Sequence, residues 1–496
     1  MHIDKRGVGD RLKKHAAEEL IRSAYTFELK DIKILYKGMS AADIAHVCML
    51  IEEKIIPEIP GKKLLQELIE LDKLPLQDFT IDPSLGDTYT NREHLLKEKI
   101  GDVAGWLHAG RARRECSTIG FLLACRERLL EFGISLLKLA ESLLELSKNH
   151  IDTIMPDYTY LQHAQPTSLG HYVLTFLYPL LRDIKRLQEA FIRLNQSPAG
   201  SGSVNGSRLP LNRERLAKLL GFEEITVHTR DAMWRPDIPI ELYSILVSSC
   251  ININRLGEEL QIWSTSEFNM IELADEYCRT SVIMPQKKNP YGLSYFRGLT
   301  GLLIGRYCSI SSIMKSTSGQ PDNRIFAHGE LPDSFDLCTK GINLFAAIIS
   351  SLRVNTDICK KQSLAGFSAS TDLAEIIMMT QDIDYATTHR LVGSAVRLAI
   401  EGGKKTVTIT ELEEAVRREL IDIDLSKIDF KEINNPTKIV DSRIGLGGAA
   451  KNRVLEMIEK EEKKVKRLEN WFEEKNAFQN NAIEMLMKNA NMLASD

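Results

Sequence analysis

The sequence lacks the features that mark secreted, membrane-spanning or nucleic-acid-binding proteins. Its eight cysteines are scattered, and no two have the Cys-x-x-Cys spacing of a metal or redox site. The 64 basic residues do not exceed the 68 acidic ones, which argues against a nucleic-acid partner. No long apolar run suggests a signal peptide or a membrane span. We therefore expect a cytoplasmic protein with reduced thiols, no metal, no organic cofactor and no membrane partner.

Alternating strand patterns are also scarce, which disfavours sheet-based enzyme classes. What dominates instead is apolar residues repeating every three or four positions, as from Phe121 to Leu144. Similar periodicity predicts helices from about 238 to 268 and from 293 to about 314. Long helices without a heptad charge pattern are typical of a bundle. The fold class predicted is all-α.

A chain of this length exceeds one compact core, so we expect several domains. Gly, Pro, Ser and Asn accumulate in three segments that we interpret as loops between helix blocks: 75–90, 197–210 and 318–332. Because the longest helices lie in the middle, the predicted division is an N-terminal helical domain, a central long-helix bundle and a C-terminal helical domain, at 1–112, 113–360 and 361–496. The last fifty residues predict a charged amphipathic helix with one solvated face.

The segment Ser281-Val-Ile-Met-Pro-Gln-Lys-Lys-Asn-Pro290 carries the clearest chemical signal. It combines a hydroxyl, a proline-restrained turn, two lysines and an amide ahead of a predicted helix. A helix N-terminus supplies backbone donors and a positive dipole, so an anion would bind there favourably. Residue chemistry alone leaves an ordinary polar loop with solvated lysines equally open.

This segment resembles the signature loop of the fumarase/aspartase superfamily, Gly-Ser-Ser-x-Met-Pro-x-Lys-x-Asn-Pro, in its argininosuccinate lyase form. The resemblance puts Ser281 on the catalytic base and Lys287 with Asn289 on the carboxylate-stabilising pair. Three further segments are similar to the family's motifs in the same order: 87–101, Leu107-His-Ala-Gly-Arg-Ala-Arg113 and Thr159-Tyr-Leu-Gln-His-Ala-Gln-Pro166. The glycines at 200, 202 and 206 resemble the family's connection before the central helices and predict a turn.

The resemblance implies a homotetramer in which the long central helices of four chains form the core and subunits share each active site. It implies a carbon-nitrogen lyase that eliminates fumarate from an N-substituted aspartate, with argininosuccinate and arginine biosynthesis as the leading expectation. Arg113 and Thr159 would hold the substrate's carboxylates. Asp87, at the start of the first conserved segment, would also bind substrate.

Four positions depart from the argininosuccinate lyase pattern, and they concern the site: Tyr160 replaces a histidine, Arg114 an asparagine, Ser294 a glutamate and Asp43 a serine. Tyr160 is expected to donate a proton, or else to be a core tyrosine. Arg114 either strengthens an anion site beside Arg113, which suits a more acidic substrate, or points to solvent or Glu115.

Two alternatives to argininosuccinate cleavage stay open. One is a specialised aminocarboxylate lyase of the same branch with a different amine leaving group. The other is a non-catalytic structural relative. Joint retention of Ser281, Lys287, Asn289, Arg113 and Thr159 speaks against the second, because a scaffold has no reason to keep them.

Overall fold

A computed structural model describes residues 14–320 and 322–495, and the chain in these ranges is mainly helical. The helices of ten or more residues are α1 Ile32–Glu52, α2 Glu58–Lys73, α3 Thr88–Ile100, α4 Arg113–Asn149, α5 Leu169–Leu194, α6 Asp237–Trp263, α7 Tyr291–Met314, α8 Glu330–Ser350, α9 Ser370–Gln381, α10 Tyr385–Glu401, α11 Ile409–Glu419 and α12 Lys451–Ser495. Shorter helices lie at Arg213–Leu219, Thr229–Met233, Asp322–Ala327, Thr356–Gln362 and Pro436–Asp441.

Strands contribute only two-stranded pieces in the described ranges. They are β1 Ile154–Thr159, β2 Gln162–Ser168, β3 Gln196–Ser197, β4 Glu224–Ile225, β5 Ile271–Glu272, β6 Arg279–Thr280, β7 Lys288–Asn289 and β8 Arg353–Val354. The pairs β1–β2, β5–β8 and β6–β7 are antiparallel, and β3–β4 is parallel. The all-α prediction is confirmed.

Helix α4 is the axis of the bundle, and α1, α5, α8 and α12 pack around it. The helix extends beyond the apolar repeat from which it was predicted. It ends at Asn149, before a turn in which the Thr153 N–H donates to the His150 carbonyl. The backbones of α1 and α4 touch, since a Cβ on Gly38 would lie 2.7 Å from the Gly120 Cα. Only glycine allows this approach.

The predictions for the other long helices hold with one exception. Helix α7 begins two residues before the predicted start, and α12 buries one face while its charged face meets solvent. Helix α6 ends at Trp263 and not near 268, so that boundary was wrong. The hydroxyls of Ser264 and Thr265 bond back to helix carbonyls and Asn269 adopts a left-handed φ of 48°, so the chain turns into β5.

The buried apolar side chains form one large cluster that includes α1, α2, α4 to α8 and α12. A second cluster joins α9, α10 and α11 with the segment up to Ile433. Helix α12 therefore returns from the C-terminal part of the chain to the central core. The division at 112 and 360 stays a prediction.

The helical stretch Glu18–Glu52 is long and apolar enough to cross a membrane by length and composition. However, 72% of its apolar window is buried inside the protein, largely against α4. A core helix of a globular protein passes the same test. In the residues described, this stretch is the single candidate of its kind.

A buried ion network ties α1 to the chain before α4. The Asp43 carboxylate, fully buried, lies 2.5 Å from Arg111 Nη2 and 3.0 Å from Arg92 Nη2. Burial opposes ionisation of Asp43, but the two guanidiniums outweigh it and lower its pKa. The expectation that Asp43 concerns the substrate site is therefore corrected, because the carboxylate is a core ion-pair partner.

Replacing Asp43 by Asn would leave two buried guanidiniums without a counter-charge. We expect the Asp43→Asn variant to lose about 3–5 kcal/mol of unfolding free energy in a urea titration. The control is Glu70→Gln at the exposed pair with Lys73, where the loss should stay below about 1 kcal/mol. Equal losses in the two variants would contradict the assignment.

Candidate active site

The signature loop is a short hairpin closed by β6 and β7 ahead of helix α7. The Ser281 N–H donates to the Lys287 carbonyl at 3.3 Å, and the Met284 N–H donates to Ser281 Oγ at 3.1 Å. Asn289 Nδ2 donates to the Arg279 carbonyl at 2.9 Å, which holds the base of the hairpin. The loop thus presents the Ser281 hydroxyl in a defined position with a backbone donor already aimed at it.

The two lysines of the loop have different partners. Lys288 Nζ lies 2.6 Å from Asp275 and 2.9 Å from Glu272, so its charge is compensated. Lys287 makes no ion pair with any residue in the described ranges, and its side chain is exposed. At the tip, Val282 and Ile283 are also exposed. Lys287 is consequently the loop's available cation.

Thr159 and Tyr160 lie at the tip of the β1–β2 hairpin, where Thr159 pairs with Gln162. The two-residue turn, Tyr160 and Leu161, has φ angles of 54° and 57°. This left-handed conformation favours Asn and Gly, and it is strained for bulky side chains. Tyr160 is fully exposed, which excludes the core-tyrosine interpretation within one subunit.

Asp87 and Arg113, two further candidate site residues, form an ion pair with each other. Asp87 caps helix α3 by accepting from the Thr90 N–H at 2.8 Å and the Thr90 hydroxyl at 2.9 Å. Arg113 Nε lies 3.1 Å from the second Asp87 oxygen, and Arg324 Nη1 lies 3.8 Å from it. Asp87 is buried while Arg113 is half exposed. Asp87 therefore orients Arg113, and its contact with substrate stays a prediction.

Arg114 points neither to solvent nor to Glu115. Its guanidinium lies 4.6 Å from the ring centroid of Trp234, and Nη1 donates to the Gln320 carbonyl at 3.4 Å. Burial, with the neighbouring guanidiniums of Arg324 and Arg113, lowers the pKa of Arg114 to about 10. The cation is thus held in a half-buried place beside Arg113.

Glu115 organises the glycine-rich turn next to these arginines. Its two oxygens accept from the N–H groups of Gly200 at 2.8 Å and Gly202 at 2.7 Å. Both glycines, and Gly206, have positive φ, as the turn prediction requires. Burial raises the pKa of Glu115 to about 7 against the opposing effect of these donors. The Glu115 carboxylate thus holds the glycine-rich segment against the N-terminal end of helix α4.

The structure places the candidate groups at two ends of the bundle. Arg113 begins α4, whereas β1 follows the end of that helix, about 55 Å away at 1.5 Å per residue. The Ser281 hairpin lies at the β1 end of the bundle. The strand that precedes it, β5, pairs with β8. Ser350, just before β8, contacts Ser142 near the end of α4. Helix α7 then returns to the Arg113 end, where Gln320 meets Arg114.

One subunit therefore separates the predicted groups. Thr159, Tyr160, Ser281, Lys287 and Asn289 lie at one end of the bundle. The residues at the opposite end are Asp87, Arg113 and Arg114. Within the described ranges, no hydrogen bond or ion pair joins the two sets.

Sequence reasoning missed several groups around Arg113. Arg324 pairs with Glu28 and reaches Asp87, and it lies on the short helix Asp322–Ala327 inside a segment interpreted as a loop. Behind it, Asp31 and His328 line a small cavity, and burial raises the pKa of Asp31 to about 7. No local motif marks these residues, since they come from distant parts of the chain.

Comparison with known proteins defines the class. A family model described as a lyase matches residues 20–305. The chain superposes on an EDDS lyase variant with bound fumarate at a TM-score of 0.87, with 26% identity and 97% of both chains covered. A class II fumarase from Schistosoma mansoni shares the fold, with a TM-score of 0.70 at 14% identity, covering 86% of this chain and 96% of the fumarase. The fold is that of the fumarase/aspartase superfamily.

Curated relatives narrow the class. Argininosuccinate lyase of Methanocaldococcus jannaschii is 32% identical over 98% of this chain and 99% of its own length. Argininosuccinate lyase of Methanosarcina acetivorans is 34% identical over 89% of each chain. The chain belongs to the lyase family that contains the argininosuccinate lyases, and it is a carbon-nitrogen lyase.

Proposed function

We propose that the chain eliminates fumarate from an N-substituted aspartate, with argininosuccinate as the substrate and arginine as the other product, in the cytoplasm. The observation that carries this proposal is similarity to argininosuccinate lyases over nearly the full length, together with a signature hairpin that presents Ser281 and a free Lys287. No step of the proposal requires a metal or organic cofactor.

The chemical difficulty is the Cβ proton, which becomes acidic only when the neighbouring carboxylate accepts charge as a dianionic aci-form. Ser281 Oγ removes this proton. Lys287, Asn289 and the backbone donors of the hairpin stabilise the dianion. The carbon-nitrogen bond then breaks, its electron pair leaves with nitrogen, which takes up a proton, and the carbon-carbon double bond of fumarate forms.

Ser281 needs a lowered pKa to act as a base. The Met284 N–H that donates to Oγ supports this role, since a hydrogen bond to the charged form favours it. The exposed ammonium of Lys287 adds positive potential in the same loop. Burial of the exposed tip at Val282 and Ile283 against substrate or another subunit would strengthen both effects by removing water.

Tyr160 takes the place of the family's histidine as proton donor to the leaving amine in this proposal. A phenol is an adequate proton donor at neutral pH. Its strained backbone supports a functional role, because strain of this kind persists mainly where function needs it. Full exposure leaves its hydroxyl free to reach into a site formed with other chains.

A homotetramer would complete the site. Helix α7 exposes Leu302 and Ile304, and a Cβ on Gly298, Gly301 or Gly305 would have no atom within 4 Å. The exposed glycines leave a smooth surface between these two apolar side chains, which suits close packing against helices of other copies. Antiparallel packing of the bundles would bring Arg113 of one chain to the Ser281 end of another.

An aminocarboxylate lyase is the second candidate function. The superposition on EDDS lyase over 97% of both chains favours it, and so does the additional cation Arg114. The two candidates share the fumarate half of the reaction and differ in the amine.

The substrate is tested by following fumarate release from a panel of N-substituted aspartates that includes argininosuccinate. We expect release at an ordinary enzymatic rate, and a loss of several orders of magnitude in Ser281→Ala with unchanged melting temperature. The matched control is Ser426→Ala, an exposed serine in the C-terminal part of the chain, which should keep its activity. Ser281→Ala activity within tenfold of the parent would place the base elsewhere.

Site sharing predicts complementation between inactive variants. Ser281→Ala and Arg113→Met are each expected to be inactive, but chains unfolded together and refolded should regain up to about a quarter of the parent activity if each site takes one residue from each of two chains. Turnover of the mixed sample is compared with that of each variant refolded alone. If mixing restores nothing, both residues act within one chain.

Tyr160→Phe separates acid chemistry from packing. We expect turnover to fall at least tenfold, because the proton donor is lost while the ring is kept. The melting temperature should not change, since the side chain has no neighbours to lose in its own subunit. Tyr158→Phe on the same hairpin serves as the control and should keep its activity. Normal turnover in Tyr160→Phe would refute the acid role.

A further inference from the structure

Two arginines at the α4 end of the bundle lack a carboxylate partner. Arg114 and Arg230 form no ion pair within 4.0 Å in the ranges that the structure describes, in contrast to Arg113 and Arg324. Arg230 donates instead to the Ser318 carbonyl and hydroxyl, both at 3.2 Å. Glu28 and Asp322 attract the Arg114 guanidinium, but both lie beyond ion-pair distance from it. Both guanidiniums are therefore without a direct carboxylate contact in the described ranges.

The indole of Trp234 holds both guanidiniums in place. Arg114 lies 4.6 Å and Arg230 5.4 Å from its ring centroid, and the Trp234 N–H donates to the Gln320 carbonyl at 3.2 Å. Stacking on an aromatic ring fixes a guanidinium while leaving its in-plane donors available, apart from those that already bond to Ser318 and Gln320. Such donors match a carboxylate, which they bind through two parallel hydrogen bonds.

We propose that Arg114, Arg230 and Trp234 form a subsite for a carboxylate carried by the amine leaving group. The inference rests on the proposed function, because Arg113, the adjacent residue, is there assigned to a carboxylate of the succinyl portion. The substrate class becomes N-substituted aspartates with at least one further carboxylate beyond the two of the aspartate. Simple alkylamine adducts of fumarate fall outside this class.

The electrostatics favour this occupant. Arg113, Arg114 and Arg324 crowd together, and their mutual repulsion adds to the cost of keeping Arg114 half buried. An anion against Arg114 relieves both. A neutral or cationic leaving group would leave the repulsion among these three arginines unrelieved. Arg114 is accordingly a specificity-determining residue that contacts the leaving group, with Trp234 as its positioning residue.

The test compares ligands that differ only by this carboxylate. One pair is N-carboxyethylaspartate and N-propylaspartate, and the other is argininosuccinate and its agmatine counterpart. Dissociation constants are measured by calorimetry on the assembled protein, the Arg114→Gln variant and the control Arg467→Gln, an exposed arginine on α12. Fumarate release is followed in parallel.

We expect the carboxylate-bearing member of at least one pair to bind the parent and Arg467→Gln about tenfold or more tightly than its partner. Arg114→Gln should abolish that advantage and change the binding of the other member by less than about twofold. Equal weakening of both members, or no advantage in the parent for either pair, would overturn the proposal. Binding is measured separately from fumarate release. The expected binding without fumarate release would therefore contradict the proposed reaction and not the carboxylate subsite.

Discussion

The packing of helix α4 along the centre of the bundle determines where every candidate group can lie. Its 37 residues separate Arg113 at one end from the Thr159 hairpin beyond the other. Close contact with α1 through Gly38 and Gly120, and the buried network around Asp43, hold the chain at its start. A rigid axis of this length keeps the two sets of candidate groups apart within one subunit, which is the geometric reason for proposing that subunits share the site.

Much of this architecture could be predicted from the sequence, because the apolar repeat of a long helix is a local signal. The stretch from Phe121 to Leu144 needed no tertiary information, and neither did the start of α7 after Pro290. The end of α6 was mispredicted, because hydroxyls that bond back to helix carbonyls stop the helix where apolar residues continue. Apolar periodicity indicates which residues are buried, but it does not indicate where side-chain hydroxyls compete for helix carbonyls.

The candidate site was less predictable, because its groups come from segments far apart in the chain. Ser281 and Lys287 were found from one continuous motif. By contrast, Arg114 meets Gln320 across 206 positions, and Arg324 lies on a helix where loop composition was expected. Asp43 was aligned with a binding residue of the family, but alignment identifies only a position. Burial and two arginine partners decide what a carboxylate there does.

Two departures from the family pattern bear on whether the chain is a catalyst or a scaffold. Tyr160 and Leu161 occupy a turn that Asn and Gly would form with less strain, which costs of the order of 1–2 kcal/mol per residue. Arg114 is held half buried without a carboxylate, which is also unfavourable for folding. A structural relative freed from catalysis would relax both features at no loss. Their coexistence with an intact Ser281 hairpin is better explained by an enzyme, which has a use for both features, than by a scaffold, which has none.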